Sequence, residues 1–577
     1  MSTPAPAPMT PPNVTPGPYT AVVTIHGMGD PRRYDTLCNL VDTLERYASL
    51  NPVNRGTWRS VDGRRWQHQL STQEYLYYVR ATYLPPDQQG TPTRVRFFEA
   101  YWAPKLAGGL PFWDVIKWFL KQIPKAWQRG QAPWRSFTRI KVAELYQWLE
   151  QQPPGQQANA QALLGLYNEF EQIPQLISFP EGTFDQFVEF IEAQAPNPQQ
   201  ATLVGLAHTW KACVDQANRR AFWSALGFAA LVVALLVWIV TLIGALTSRS
   251  WAPLTSPLGF WAENGTGRAI VQLFLGVLLA NGVGSFVSTY LGDVATWATY
   301  DENDEKFEKR KEILRTCTET LEAVVQDPAC ERVVIVAHSL GSQIAYETLR
   351  WLNYRRLAQN GNNETGALQD LDKIKQLVTY GSPIDKIYYF MESRNRFSHR
   401  YERTYNKMVG DAGKMPFQMN GQPHLLWVNF HTPGDAISGP VQTPNDLTSA
   451  KAMIYNVPTV NYDSIHLGRN HSGYLDNALV VEWIHRVVID STADRGNVPL
   501  TPPTPSPLQP QAQAHLKRTQ ALYTVLLTFP LAVLAALFAG LMGQATPAIA
   551  LWGLTLWLLG GVAWRALSTN RHVNPVR

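Results

Sequence analysis

A predicted strand at residues 332–337, apolar without interruption from Val333 to Ala337 and followed after one residue by Ser339, most constrains the fold of this chain. A short continuous apolar strand is typical of a parallel sheet whose two faces are both covered. Residues 340–357 have the apolar spacing of a helix, so Ser339 is predicted to lie in the turn between a buried strand and a helix. Such a tight turn requires small residues two positions before and two positions after the serine. Ala337 and Gly341 meet that requirement. We therefore expect the Ser339 hydroxyl to project from the sheet edge as a nucleophile.

Further apolar runs alternate with helical patterns on both sides of this turn. Because strands that alternate with helices form parallel sheets with right-handed crossovers, the fold class is predicted to be α/β. The predicted strands cover residues 19–25, 95–102, 374–380 and 425–430, and the main predicted helices cover residues 301–326, 340–357 and 472–488.

Glycines follow the first predicted strand directly, in the sequence His26-Gly27-Met28-Gly29. Backbone N–H groups of Gly27 and Met28 are candidates to bind a developing oxyanion, together with the N–H of Leu340 at the start of the helix after Ser339. The alternative is an ordinary glycine-rich turn between a strand and a helix.

A serine nucleophile requires a base, and on a strand–serine–helix turn of this type the chain order is serine, acid, histidine. His471 precedes the last predicted helix of this part of the chain and is preferred as the base. His466 lies in an alternating, strand-like stretch and is interpreted as structural.

The acid must orient the imidazole and stabilise its protonated form. Asp435 follows the predicted strand at residues 425–430 and lies between nucleophile and base in the sequence, so it is preferred. Asp385, after the strand at residues 374–380, is the second candidate, and Asp463 and Asp476 are more remote ones.

Four segments are apolar and carry no Asp, Glu, Lys or Arg, at about residues 221–246, 269–291, 521–542 and 548–564. Their lengths suit a hydrocarbon core of about 30 Å, although the last is near the short end of the spanning range. They are predicted to form two transmembrane hairpins, and the absence of intramembrane charge disfavours a transporter. Basic residues are more numerous on the side shared by the soluble regions, which predicts that this side is cytoplasmic.

The domain organisation follows from these segments. We predict a disordered Pro-rich tail (1–18), the first part of the α/β domain (19–104), a helical insertion (105–220), hairpin 1 (221–292), the second part of the α/β domain (293–496), a Pro-rich linker (497–518), hairpin 2 (519–568) and a tail (569–577). Within the insertion, residues 106–127 combine tryptophans with lysines, as does a helix lying in the membrane interface. The alternative is a helix packed on the α/β domain.

Composition narrows the remaining function classes. The net charge of +5 is small for 577 residues, and no basic stripe interleaved with aromatic residues indicates nucleic-acid binding. The chain has 4 cysteines, which do not form a Cys-x-x-Cys pair, and no cluster with metal-ligand spacing is evident. We therefore expect no metal and no cofactor.

Several of these motifs together resemble the α/β-hydrolase superfamily, and within it the lipase and serine-esterase branch that includes membrane-embedded bacterial hydrolases. The resemblance covers roughly residues 19–104 and 296–490, and it is carried by the His26-Gly27 turn, the nucleophile elbow Ala337-His338-Ser339-Leu340-Gly341, Tyr380-Gly381-Ser382-Pro383, the Asp435 loop and His471-Ser472-Gly473-Tyr474. Ala337 stands where the family pattern commonly has glycine.

This resemblance implies a parallel sheet of the α/β-hydrolase type, a Ser339–His471–Asp435 triad and hydrolysis of acyl esters. With the two hairpins, it implies a protein of the bacterial inner membrane whose partners are the bilayer and a lipid ester. Three alternatives stay open at this point: a thioesterase or deacylase acting on acylated proteins, an acyltransferase with the same triad, and a non-catalytic membrane scaffold.

Overall fold

The structure of the chain is a computed structural model that describes residues 17–29, 31–69, 75–86, 91–106, 117–118, 154–171, 184–196, 198–212, 215, 292–298, 305–359, 369–391, 416–419, 422–432, 435, 437–441, 454–462 and 467–494. The four apolar segments, the predicted linker, the C-terminal tail and all but the last two residues of the predicted N-terminal tail lie outside these residues. Asp463 and His466 lie outside them as well.

Eight strands form one mixed sheet. They are β1 (Tyr19–Ile25), β2 (Thr57–Gln69), β3 (Tyr75–Leu84), β4 (Thr93–Glu99), β5 (Cys330–His338), β6 (Ile374–Tyr380), β9 (Leu426–His431) and β10 (Ile454–Pro458); β7 (Gln418–Met419) and β8 (Gln422–Pro423) form a separate small pair. The order in the sheet is β10-β9-β6-β5-β1-β4-β3-β2. Neighbours from β10 to β4 are parallel, whereas β3 and β2 add to the edge in antiparallel orientation. The predicted α/β class with a mostly parallel sheet is confirmed.

The central strands are apolar on both faces because helices cover both faces. On β5, Val333 and Ile335 belong to one buried cluster, and Val334 and Val336 belong to the other. This alternation is what period-2 side-chain geometry dictates for a strand inside the protein.

The helices are α1 (Asp35–Ser49), α2 (Pro52–Arg55), α3 (Gln157–Glu171), α4 (Phe184–Gln194), α5 (Gly292–Trp297), α6 (Glu305–Gln326), α7 (Leu340–Gln359), α8 (Ile384–Met391), α9 (Leu467–Ser472) and α10 (Ala478–Ile489). Short 3-10 helices cover Ala103–Lys105, Pro154–Gln156, Gln369–Lys373, Gly473–Asp476 and Ser491–Ala493. Apolar residues of α5, α6 and α7 pack on one face of the sheet, and those of α1 and α10 pack on the other. The sheet therefore lies between two helical layers.

The helical part of the insertion has a core of its own. Side chains of α3, α4 and the helical residues 198–212 form an aromatic-rich cluster in which Tyr167 makes edge-on contacts with Phe187 and Trp210. In the predicted interfacial stretch, the structure describes residues 117–118, which are helical. Trp118 is buried in the apolar cluster that contains residues of α7. At this position, the contact supports a helix packed on the α/β domain.

Two features of the α/β domain differ from the prediction. The β2–β3 hairpin at the sheet edge, which contains four arginines and several aromatic residues, was not predicted from the sequence. One helix is predicted over residues 472–488, but the chain passes from α9 through a 3-10 turn to α10. The break occurs because the Asn477 side chain accepts a hydrogen bond from the N–H of Leu479 (3.1 Å) and so begins a new helix.

Within the part of the chain that the structure describes, no helix combines the length and the apolar character needed to cross a membrane.

The pKa of buried His485 predicts how stability depends on pH. Its ring contacts Tyr47, Trp58 and Tyr83 where α10 packs near the sheet edge. Burial, assisted by the charge of Arg55, lowers its pKa from 6.5 to about 4. Below pH 6.5 the unfolded chain binds a proton that the folded chain does not, so stability is lost as pH falls from 6.5 towards 4, by roughly 3 kcal/mol for this one group.

We expect His485→Phe to remove that contribution, as measured by denaturant unfolding between pH 7.5 and 4. Above pH 7, the free energy of unfolding should depend on pH in the same way in both proteins. Below pH 6.5, the two free energies should diverge, and the variant should become relatively more stable. Parallel curves over the whole range would contradict the assigned role of His485.

Candidate active site

Three predicted side chains meet at the carboxyl edge of the parallel strands. The Nε2 atom of His471 lies 2.7 Å from Oγ of Ser339, and Nδ1 of the same ring lies 2.7 Å from Oδ2 of Asp435. All three residues are buried, with at most 5% of their surface exposed. Positions that are widely separated in the sequence thus form one continuous hydrogen-bonded chain.

The turn between β5 and α7 holds Ser339 in a strained backbone conformation. Its φ is +53°, a left-handed value that non-glycine residues adopt rarely and at a cost of about 1–3 kcal/mol. Its own N–H donates to the carbonyl of Tyr380 at the end of β6 (3.0 Å), which fixes the turn to the neighbouring strand. The side chain consequently projects towards His471.

Two glycines allow the end of β1 to approach this turn. A Cβ atom on Gly27 would lie 2.6 Å from Cβ of Ser339, and one on Gly341 would lie 2.4 Å from the carbonyl oxygens of Ile25 and His26. These separations are shorter than any real Cβ contact. The sequence predicted that Gly341 must lack bulk, and the structure shows which backbone atoms impose that limit.

Hydrogen bonds satisfy the carboxylate of Asp435 on both oxygens. Oδ1 accepts from the N–H of Ile437 (2.8 Å), and Oδ2 accepts from His471 and from the hydroxyl of Tyr474 (3.2 Å). Burial by itself raises the pKa of this carboxyl, but the hydrogen bond and charge of His471, the Ile437 N–H and the charge of Lys386 together hold it below its ordinary value. Asp435 is therefore ionised at neutral pH.

Tyr474 also belongs to this network, a role that was not predicted from the sequence. Its hydroxyl accepts from the N–H of Thr432 (3.0 Å) and lies 2.9 Å from Oγ of Ser438. It thereby connects α9 and the following 3-10 helix to the loop that carries Asp435. Its position three residues after His471 was the available signal.

Lys386 supports the same loop from α8. Its Nζ donates to the carbonyl of Ser438 (2.7 Å), while much of its side chain is exposed. The second acid candidate, Asp385, lies in the first turn of α8, and Asp476 is exposed in the 3-10 helix after α9. The carboxylate that binds His471 is that of Asp435.

His338, predicted only as part of the elbow, contacts His471 directly. Burial lowers the pKa of its ring to about 3, so the ring is neutral. Its Nε2 lies 2.9 Å from the backbone carbonyl of His471, and the ring stacks on Tyr380. Because a carbonyl only accepts, Nε2 carries the proton and donates to it. His338, the residue before Ser339, therefore holds the backbone of His471.

Hydrogen bonds also define the loop at residues 26–29. The Nε2 atom of His26 lies 3.2 Å from the backbone N–H groups of both Trp102 and Ala103, so this nitrogen is unprotonated and accepts. Nδ1 then carries the proton and donates to the carbonyl of Gly27 (2.9 Å). Burial lowers the pKa of this ring to about 4, consistent with the neutral form.

This arrangement orients one predicted oxyanion donor. In a trans peptide the N–H points opposite to the carbonyl oxygen, so the Met28 N–H points away from the His26 ring. Gly27 packs against Ser339, and Leu340 begins α7, where the first N–H groups have no partner within the helix. The oxyanion roles of Gly27, Met28 and Leu340 stay predictions; Gly27 lies against Ser339, and Leu340 directly follows it in the sequence.

Among the described residues, no group of three or more His, Cys, Asp or Glu side chains is arranged to hold a metal ion. Comparisons of the chain with protein-family models, curated protein sequences and solved structures find no match.

The contact at Gly27 predicts the effect of one added methyl group. We expect Gly27→Ala to destabilise the protein by about 1–3 kcal/mol, because its Cβ would overlap Ser339 and backbone would have to shift. Gly63→Ala is the matched control, since a Cβ there meets nothing within 4 Å. Thermal unfolding of the two variants measures the difference. Equal midpoints for both would show that the loop at residues 26–29 does not pack on Ser339 in this way.

Proposed function

We propose that this protein is a membrane-anchored serine ester hydrolase of the α/β-hydrolase class. The observation that carries the proposal is the hydrogen-bonded chain from Ser339 through His471 to Asp435 at the carboxyl edge of the sheet. The strained turn at Ser339, between a central parallel strand and a helix, supports it. That combination of turn, base and acid is a recognised arrangement for nucleophilic acyl transfer.

The proposed reaction proceeds in two steps. His471 Nε2 takes the proton from Ser339 as Oγ attacks the ester carbonyl, and the imidazolium then gives that proton to the leaving alcohol. Water attacks the resulting acyl-serine with the same ring as base, and the carboxylic acid leaves as Ser339 recovers its proton. Asp435 stabilises the imidazolium in both steps, and the N–H groups of Met28 and Leu340, with that of Gly27, face the oxyanion.

A lipid ester is the substrate class that fits the rest of the sequence. Apolar segments at residues 221–246 and 269–291 separate the two parts of the α/β domain, and two more follow it. Segments of this length and composition favour insertion into a bilayer, which would hold the site beside acyl esters of membrane lipids. A phospholipid or glycerolipid is therefore the proposed substrate.

A fluorophosphonate probe tests the nucleophile and the acid. Wild type should be labelled covalently, and Ser339→Ala should lose the label because the attacking oxygen is gone. Asp435→Asn should label about 10³- to 10⁴-fold more slowly, since the neutral amide neither favours the required tautomer nor stabilises the imidazolium. Asp385→Asn is the matched control and should label at the wild-type rate.

Two results would overturn this assignment. Labelling that persists in Ser339→Ala would place the nucleophile elsewhere, and a slow Asp385→Asn with a normal Asp435→Asn would exchange the two carboxylates. Hydrolysis of a panel of phospholipids and glycerolipids by the purified protein in detergent then identifies the preferred ester.

The membrane topology is a separate prediction. Two hairpins place the C-terminus on the same side as the α/β domain, and the basic flanks place that side in the cytoplasm. A reporter that works only in the cytoplasm should be active when it is fused after Arg577. The same reporter should be inactive when it is inserted in the predicted loop near Gly543. Activity of the Arg577 fusion outside the cytoplasm would reverse the orientation.

A further inference from the structure

We propose that Asp293 is a positioning residue for the loop at residues 26–29, and that it ties the start of the second part of the α/β domain to the predicted oxyanion site. This inference rests on the proposed hydrolase function. Its central observation is a hydrogen bond between distant parts of the chain: Oδ2 of Asp293 accepts from the N–H of Gly29 at 3.0 Å. Asp293 is 6% exposed, and Gly29 has a φ of +107°.

The helix that carries Asp293 is fixed to the helix that follows the nucleophile. Trp297 of α5 donates its indole N–H to Oε1 of Glu347 on α7 (3.2 Å). Arg310 of α6 forms a buried ion pair with Glu347 and lies over the Trp297 ring, and Gln343 donates to the same carboxylate (2.7 Å). Val294, Ala295 and Trp297 pack in the same apolar cluster as Leu340.

These contacts connect Ser339, α7, α5 and the loop at residues 26–29 in a closed series. From Ser339 the chain continues into α7, whose Glu347 holds α5. Asp293 on α5 then holds Gly29, and Gly27 of the same loop packs back on Ser339. The position of the Met28 N–H relative to Ser339 is thus set by a rigid connection rather than by the loop alone. A misplaced oxyanion donor costs transition-state stabilisation while leaving substrate binding largely unchanged.

The loop is held at both junctions where the α/β domain is interrupted, by residues just before the insertion and just after hairpin 1. Where the chain leaves the first part of the α/β domain, the N–H groups of Trp102 and Ala103 donate to His26. Where it returns, Gly292 begins α5 immediately after the apolar segment at residues 269–291, and Asp293 is the next residue. Hence the segment most suited to contact lipid is joined, without an intervening linker, to the residue that holds the loop.

Kinetics and a transition-state analogue test the proposal on the full-length protein in detergent. We expect kcat for a soluble ester to fall about 10- to 100-fold in Asp293→Ala with KM little changed, because the donor is displaced rather than removed. The inhibition constant of a trifluoromethyl ketone, which forms a tetrahedral adduct with serine, should rise in the same proportion. Asp293→Asn retains an acceptor without the charge, so it should lie between wild type and Asp293→Ala in both measurements.

Asp494→Ala is the control for a merely structural effect. Asp494 is a buried carboxylate that binds Arg332 (2.7 Å) and Gln376 (3.0 Å). Arg332 lies near the start of β5, whereas Ser339 follows the end of the same strand. This variant should lower the unfolding midpoint but leave kcat and the inhibition constant unchanged well below that midpoint. Should Asp293→Ala fail to fold, the comparison of Asp293→Asn with wild type still decides.

Each outcome separates this inference from the proposed function. A wild-type protein that neither hydrolyses esters nor takes the probe overturns both. An active wild type with unchanged kcat in Asp293→Ala and Asp293→Asn, or with a change in KM alone, overturns only the role of Asp293. A parallel loss in kcat and analogue affinity, graded through asparagine to alanine, supports it.

Discussion

The end of β1 meets the turn after β5 with no side chain between them, and the geometry of the site depends on that contact. Gly27 faces Ser339, and Gly341 faces the carbonyl oxygens of residues 25 and 26. Backbone groups can reach a reacting carbonyl only where the chain approaches this closely. The strain at Ser339 persists because β1, β6 and α7 all hold the turn, and a strained residue needs such surroundings.

Burial explains why the rest of the site is so densely hydrogen-bonded. An ionised carboxylate in an apolar interior is stable only if its oxygens have donors, and Asp435 has three. Three neutral groups, His338, Tyr474 and the Ile437 N–H, then fix the positions of Asp435 and His471. Backbone carbonyls and amides therefore orient Asp435 and His471 as much as side chains do. Such a fully hydrogen-bonded network makes the site rigid.

Local sequence patterns predicted the central strands and the three residues Ser339, Asp435 and His471. The bounds of β1 and β6 agree with the apolar runs, and Ser339, Asp435 and His471 were placed by chain order and by their positions at strand ends. The hairpin β2–β3 was missed because an edge pair needs no continuous apolar run, and its polar residues resemble a loop. Tyr474 and Asp293 were missed for another reason: their partners lie far away in the sequence, and only the folded sheet brings them together.

The position of β1 has a consequence for biosynthesis. This strand lies between β4 and β5 in the middle of the sheet, yet about 300 residues separate its end from the start of β5. At typical translation speeds of about 5–20 residues per second, roughly 15–60 s pass before the ribosome supplies that neighbour. The nascent β1 and β4 thus wait with an open edge while the intervening apolar segments emerge first. Closure of the sheet between β1 and β5 therefore depends on chain that is synthesised after both apolar segments.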